Sequence, residues 1–381
     1  MIWFFAGAIV FCAYTYLGFP LLLHFFAKRA TPACAQPIEC EESAACRLPT
    51  VSIVIAAHNE ADNLTVKISS LEKLDYPTEK LQCVFVSDGS TDDTVKVLQE
   101  ACEYHDTWQE YHYAEAAGKP TAVNLGVTHA SGEIIVFMDA RQRVGPAAIQ
   151  ALVSRFADPS VGAVSGELML ESGRGGEASS VSLYWRYEKW IRENESRLFS
   201  TTGATGALYA IRRADYQPLP SDALLDDFDT PISLLRQGKR TVFEPAAQLF
   251  DQAEPDTARE FNRKARTLAG NYQSFSRHRW LFDPKKNPVW WQFISHKVFR
   301  LLVPYALGIA FVASLLGHGA FLQMMLAVQA CFYGVGLLSF LGVQSRMIGV
   351  VRVFLHLNAA AVVGAWRAWR GSSAVHWKST A

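Results

Sequence analysis

Carboxylates stand where short apolar runs end in this chain, and that placement is chemically informative. Val51–Ala56 runs into His58-Asn59-Glu60, Gln82–Ser87 into Asp88-Gly89-Ser90, and Glu133–Met138 into Asp139-Ala140-Arg141. Each run is apolar and rich in β-branched residues, as a strand buried on both faces must be. In an open parallel sheet, ligands sit beyond the carboxyl ends of the strands. A carboxylate there can take a ribose hydroxyl, a base edge or a divalent cation. Asp88 alone would also suit a turn that caps a helix. Its co-occurrence with Asp139 at a second strand end favours a ligand site.

A second acidic group lies far along the chain. Leu224–Thr230 carries Asp226, Asp227 and Asp229, ahead of a Pro231 turn and an apolar helix expected over Pro231–Gln237. If they face the same crevice, one of these carboxylates can take a proton from an attacking hydroxyl. The pair also suits a helix cap. Arg263 and Arg266 lie three apart, on one face of a helix. They can hold a diphosphate leaving group, or form a solvated basic face against anionic headgroups.

The hydrophobic pattern supplies the elements that must position these groups. Helices are expected over Ala61–Lys73, from Thr91-Asp92-Asp93 onward, from Gly118-Lys119-Pro120 to about His129, over Val181–Leu198 and over Thr257–Ser274. Strands are expected at the three runs above and at Gln109–Ala114, Val161–Leu170 and Thr241–Glu244. Strands alternating with helices imply an α/β fold with a mostly parallel sheet covered on both faces.

The 381 residues are 50% hydrophobic and 19% charged, below the roughly 25% charged of an ordinary soluble domain. The deficit is local. Met1–Ala27 lacks Asp, Glu, Lys and Arg and is followed by Lys28 and Arg29, so it reads as an uncleaved anchor with its C-terminal end in the cytoplasm. A cleaved signal peptide, with Ala33-Cys34-Ala35 as the cleavage site, would need a basic n-region. Leu301–Ser345 suits two crossings with a turn at Gly317-His318-Gly319. Val353–Trp366 is a 14-residue apolar run, short for a crossing and better suited to an interfacial or re-entrant path. The expected organisation is an anchor at 1–27, a linker at 28–49, a catalytic domain at 50–280, two crossings within 297–345, and an interfacial or third C-terminal membrane segment at 346–381. Net charge is zero, so no basic field favours nucleic acid. The seven cysteines show no metal-ligand spacing; free thiols are expected, with palmitoylation of Cys34, Cys40 and Cys46 as the alternative.

With these residues in place the chain resembles membrane-bound glycosyltransferases of family 2, the inverting class that includes cellulose, chitin and hyaluronan synthases. The resemblance runs over Thr50–Ser276 through VSIVIAAHNE, VSDGSTDDT, GKPTAVN, FMDAR, TTGATGALYAIRR, LDDF and FNRKARTLAGN. It implies a nucleotide-diphospho-sugar transferase fold of the A type. It also implies that Ala57 and Glu60 line the uridine pocket, that Asp88 contacts uracil or ribose, and that Lys119 lies by the phosphates. Asp139 would be the first acid of the DxD motif and hold Mg or Mn. Gly203 and Gly206 would admit the acceptor, Asp226-Asp227 would be the catalytic acid pair with Asp227 as base, and Arg263 and Arg266 would grip the diphosphate. Arg141 stands where the second DxD carboxylate would be. Arg263-Lys264-Ala265-Arg266-Thr267 lacks the Gln and Trp of the QxxRW element.

The resemblance implies an inner-membrane, multi-pass enzyme with a cytoplasmic catalytic domain. It would move a sugar from a UDP-sugar to a growing polysaccharide of the cell envelope. Addition of one sugar to a lipid-linked acceptor is the alternative. Homo-oligomers or export partners would complete any channel. A degenerate nucleotide-binding scaffold is the rival from another class, motivated by Arg141. A dehydrogenase is disfavoured, since no GxGxxG follows the first strand.

Overall fold

The computed structural model describes residues 1–30, 48–171, 176–252, 257–338 and 346–371. Most of the expected linker, with Cys34, Cys40 and Cys46, and the tail beyond 371 lie outside the described residues. In chain order the first elements are α1 (Ile2–Ala13), α2 (Phe19–Arg29), β1 (Val51–Ala57), α3 (Ala61–Leu71), β2 (Leu81–Asp88), α4 (Thr94–Glu103), β3 (Trp108–Tyr113), α5 (Lys119–His129), β4 (Ile134–Asp139), β5 (Arg143–Val144) and α6 (Ala148–Ser154). Then follow β6 (Val161–Glu171), α7 (Gly176–Leu198), β7 (Leu208–Arg212), α8 (Asp226–Arg236), β8 (Arg240–Gln252), α9 (Thr257–Arg277), α10 (Trp290–Gln292), α11 (Phe299–Leu316), α12 (Ala320–Leu338) and α13 (Arg346–Trp369). They fall into two compact units. One is drawn from Met1–Ala30, Ser172–Glu195 and Ala253–Ser373, the other from Thr31–Glu171 and Ser196–Gln252.

The second unit is built on an eight-stranded sheet of order β3-β2-β1-β4-β7-β6-β8-β5. β3, β2, β1 and β4 run parallel. β7 is antiparallel to both its neighbours, and β6 and β8 pair in parallel. Successive residues of β1 feed opposite faces: Ile53 and Ile55 join Phe85, Leu64 and Leu98 in one core, while Val54 joins Val84, Val86 and Val123 in the other. Burial on both faces is why these strands read as continuous apolar runs rather than alternating ones.

Two expectations change. The strand expected at Thr241–Glu244 extends to Gln252. Pro245 sits where the β6–β8 register shifts between Ser165 and Glu167, and pairing resumes at Gln248. An irregular position of this kind tolerates proline. The Pro231 turn is instead helix interior, because α8 already begins at Asp226.

Among the described residues the first unit gathers four helical stretches long and apolar enough to cross a membrane: Ile2–Arg29, Trp290–Leu316, Ala320–Leu338 and Ile348–Trp369. The 14-residue run of the sequence lies inside the last of these, a helix that Arg352 does not interrupt. Within this unit α7 is tied down by buried ions. His296 Nδ1 meets Glu195 Oε1 at 2.7 Å, and its Nε2 lies 3.4 Å from Glu188 Oε2. Arg300 pairs with Glu188 and sits over the rings of Tyr16 and Tyr187. Burial alone would raise the Glu188 carboxyl, but Arg300 and His296 hold it well below the usual range. Glu188→Ala strips Arg300 of this carboxylate, and breaking a buried pair costs roughly 3–5 kcal/mol. A large drop in detergent melting temperature is therefore expected, measured by scanning calorimetry.

Candidate functional site

The site sits at the carboxyl ends of β1, β2 and β4, where two loops are stapled to each other. Asn59 adopts a left-handed backbone, φ 54°, that asparagine tolerates better than most residues. Its Oδ1 accepts Thr91 N–H at 2.8 Å, and its own N–H donates to Ser90 Oγ at 3.1 Å. Glu60 N–H donates to Thr94 Oγ1, and Ala61 N–H to Asp92 Oδ2. Asp92 therefore serves two helix N-termini at once, since its Oδ1 also accepts Thr94 N–H. Gly89 closes the turn with φ 64°, and a Cβ there would lie 2.3 Å from Ala116 N, so only glycine fits.

Asp88 is fully buried. Its two oxygens accept Ala117 N–H at 2.7 Å and Gly118 N–H at 2.8 Å. In this geometry Asp88 fixes the loop that opens α5, and so aims Lys119. Ala57 is fully buried too. Glu60 is partly buried and accepts Asn63 Nδ2–H at 2.5 Å. Burial raises its carboxyl above the ordinary value, against the Asn63 hydrogen bond and Arg141, with Asp139 adding to the rise.

Lys119 binds the strand end to the distant acids. Its Nζ lies 2.9 Å from Asp139 Oδ1 and 3.3 Å from Asp226 Oδ1. Burial would lower the ammonium, but Asp139 and Asp226 more than offset it, so Lys119 stays protonated. Three carboxylates, Asp226, Asp227 and Asp229, stand in the first turn of α8, where the helix dipole favours negative charge. Asp226 and Asp229 are buried, and Asp227 is the more accessible of the three.

Pro231 helps to place Asp227. A proline has no N–H to give to the carbonyl four residues earlier, which here is that of Asp227. Asp227 O instead accepts Ala204 N–H at 2.8 Å, joining α8 to the Gly203–Gly206 loop. Gly206 lies against the carboxylate itself: a Cβ there would stand 2.8 Å from Asp227 Oδ2. Gly206→Ala must push the carboxylate aside, and a displacement of roughly 1 Å costs on the order of 10²-fold in rate. Turnover is expected to fall by that factor with nucleotide binding unchanged, read from initial rates and a binding titration.

The sequence singled out Arg141 but not its partner. Arg141 Nη2 meets Asp251 Oδ2 at 2.5 Å, and Gln142 Nε2 donates to the same oxygen at 3.2 Å. Asp251 became visible only once β8 proved long enough to carry it to the strand ends. Arg263 and Arg266 belong to the other unit, exposed on α9, with Arg263 paired to Glu260. Among the described residues no three His, Cys, Asp or Glu side chains cluster as a metal cage. Asp139 nevertheless suits a shared cation site. Its side chain is 36% exposed and gives Oδ1 to Lys119. A magnesium-like ion commonly takes one or two carboxylates, with water and substrate phosphates completing its shell.

Residues 52–219 match the model of glycosyl transferase family 2. The chain carries a family 2 glycosyltransferase domain. That domain is similar to a poly-β-1,6-N-acetyl-D-glucosamine synthase of Staphylococcus aureus, with 23% identity over 53% of this chain and 50% of that protein. It is also similar to a β-monoglucosyldiacylglycerol synthase of Nostoc sp., with 25% identity over 63% of this chain and 53% of that protein. The chain thus spans about half the length of the curated relatives it matches. A solved mannosyltransferase from Pyrobaculum calidifontis, in complex with GDP-Man and Mn2+, superposes with a TM-score of 0.75 at 23% identity, covering 96% of this chain and 99% of its own. That likeness establishes the A-type glycosyltransferase fold, with its curled, mostly parallel sheet.

Proposed function

We propose that the chain is a membrane-bound inverting glycosyltransferase that moves a sugar from a UDP-sugar to a growing cell-surface polysaccharide. The observation that carries this reading is the Lys119–Asp139–Asp226 cluster, with Asp227 beside it on α8 against the Gly203–Gly206 loop. Lys119 would neutralise the donor's phosphates from the β4 end of the site. An acceptor hydroxyl entering over Gly203 and Gly206 would attack the anomeric carbon while Asp227 takes its proton. Asp139 would share a Mg or Mn ion with the diphosphate, which would add positive charge at the departing group. Glu60 and Ala57 would border the nucleoside. Asp88 would act through the loop it holds.

The four apolar helices support a multi-pass membrane protein. Lys28, Arg29, Lys297 and Arg346 favour an inner-membrane orientation with the catalytic domain in the cytoplasm. For the last helix an interfacial path is supported by its partner. α13 lies along the amphipathic α9, with Arg367 Nη2 donating to Asn262 Oδ1 at 2.7 Å and Phe261 against His356. Transfer of one sugar to a lipid acceptor is the second reading, favoured by the missing Gln and Trp around Arg263 and Arg266.

The test is nucleoside diphosphate release from a panel of UDP-sugars and GDP-mannose, using washed membranes with and without EDTA. Release from one donor, lost in EDTA, is the expected result, and product length separates polymer from single addition. No release from any donor, even with a lipid extract added, would leave only a nucleotide-binding scaffold.

A further inference from the structure

Beneath the donor site lies a lysine that the mechanism does not use. Lys67 projects from α3, is fully buried, and its Nζ has no hydrogen-bond partner among the described residues. One turn on, Ser70 Oγ accepts Val144 N–H at 3.2 Å, so this face of α3 meets the stretch that follows Arg141 and Gln142. Gln142 is buried as well, and its Oε1 also lacks a partner while its Nε2 is committed to Asp251. Asp251, the buried carboxylate that Arg141 neutralises and Gln142 Nε2 reaches, also acts electrostatically on the unsatisfied Lys67 amine. Stranding polar groups in this way costs several kcal/mol, which a second arrangement that satisfies them would recover. The charged and titratable groups acting on Lys67 are Asp139 from β4, Cys83 from β2 and Asp251 from β8; burial outweighs them and brings the amine down to about 7.

We propose that Lys67 is the reserve counter-ion of Asp251, which lets Arg141 leave that carboxylate and grip the donor's diphosphate. Arg141 is suited to leave. Its side chain is 31% exposed against 6% for Asp251, and it acts electrostatically on Glu60 at the edge of the site. A guanidinium can clasp phosphate oxygens in pairs. Its departure alone would abandon a buried anion, a loss of the kind that makes broken buried pairs so unfavourable. Lys67, turning to Asp251 and Gln142 Oε1, removes that obstacle. Lys67 is thus a positioning residue, acting on the donor through Arg141. The same logic explains how an arginine can stand where a second acid is expected without disabling the site.

This inference rests on the nucleotide-sugar reading, and calorimetric titration of the full-length protein in detergent tests both. UDP is compared with UMP, and GDP with GMP, for wild type, Lys67→Met, Asp251→Asn and the double variant. Lys67→Met replaces the amine with an apolar chain of similar length, and is expected to weaken diphosphate binding by about tenfold while leaving the monophosphate within about twofold. Asp251→Asn removes the anion that detains Arg141, so its diphosphate affinity should equal or exceed that of wild type. In that background Lys67→Met should do nothing further, the non-additivity expected of coupled groups. Equal losses of mono- and diphosphate, no loss in a folded Lys67→Met, or a weakened Asp251→Asn would each overturn the role of Lys67. Wild type that binds neither UDP nor GDP would overturn the nucleotide-sugar reading along with it.

Discussion

Asp227→Asn lowers kcat by about 10³-fold while the donor KM moves little. The amide is nearly the same size, so the Ala204 N–H bond to the Asp227 carbonyl and the packing against Gly206 persist. What the substitution removes is the basic carboxylate proposed to receive the acceptor's proton, since an amide oxygen is far too weak a base. Asp226→Asn separates the two roles. Asp226 is buried and spends Oδ1 on Lys119, so its loss should appear in donor binding more than in turnover. Stopped-flow nucleotide binding beside steady-state rates distinguishes these patterns. A variant Asp227→Asn with rates near wild type would remove Asp227 from the chemistry.

Lys119→Met should reduce kcat/KM by roughly 10²–10³-fold, through donor affinity and transition-state charge together. The ammonium is the link between Asp139 and Asp226, groups far apart in the sequence. Removing it leaves two carboxylates facing the site where a diphosphate must enter, so repulsion replaces attraction. Part of the loss should return on adding more divalent cation, because the remaining carboxylates can then share it. Kinetics across a magnesium series measures this. A Lys119→Met protein with unchanged donor KM would mean that the phosphates lie elsewhere.

Strand-end acids were legible because parallel strands expose their function at one edge: Asp88 and Asp139 could be placed before any coordinates. The pairings between them were not legible. Lys119 meets Asp226 across more than a hundred residues, and no local period encodes such a contact. Asp88 was singled out as a ligand contact; what its sequence position did not show is that both of its oxygens accept the amides of Ala117 and Gly118. Pro231 misled because proline usually marks an end. Here it sits inside a helix and leaves a carbonyl to a neighbouring loop. Lys67 passed as an ordinary residue of an amphipathic helix, since a buried lysine has no signature in sequence. The Glu188–His296–Arg300 network was hidden likewise, its members lying about a hundred residues apart.

The proposed chemistry is a single displacement at the anomeric carbon, aided by Asp227 on one side and the Lys119–Asp139 pair on the other. Proton NMR of the newly formed glycosidic linkage, starting from a donor of known α configuration, tests it most directly. A β linkage is the predicted result, with product formation lost in Asp227→Asn. An α linkage would mean retention, which one in-line attack aided by one base cannot give, and would contradict the account.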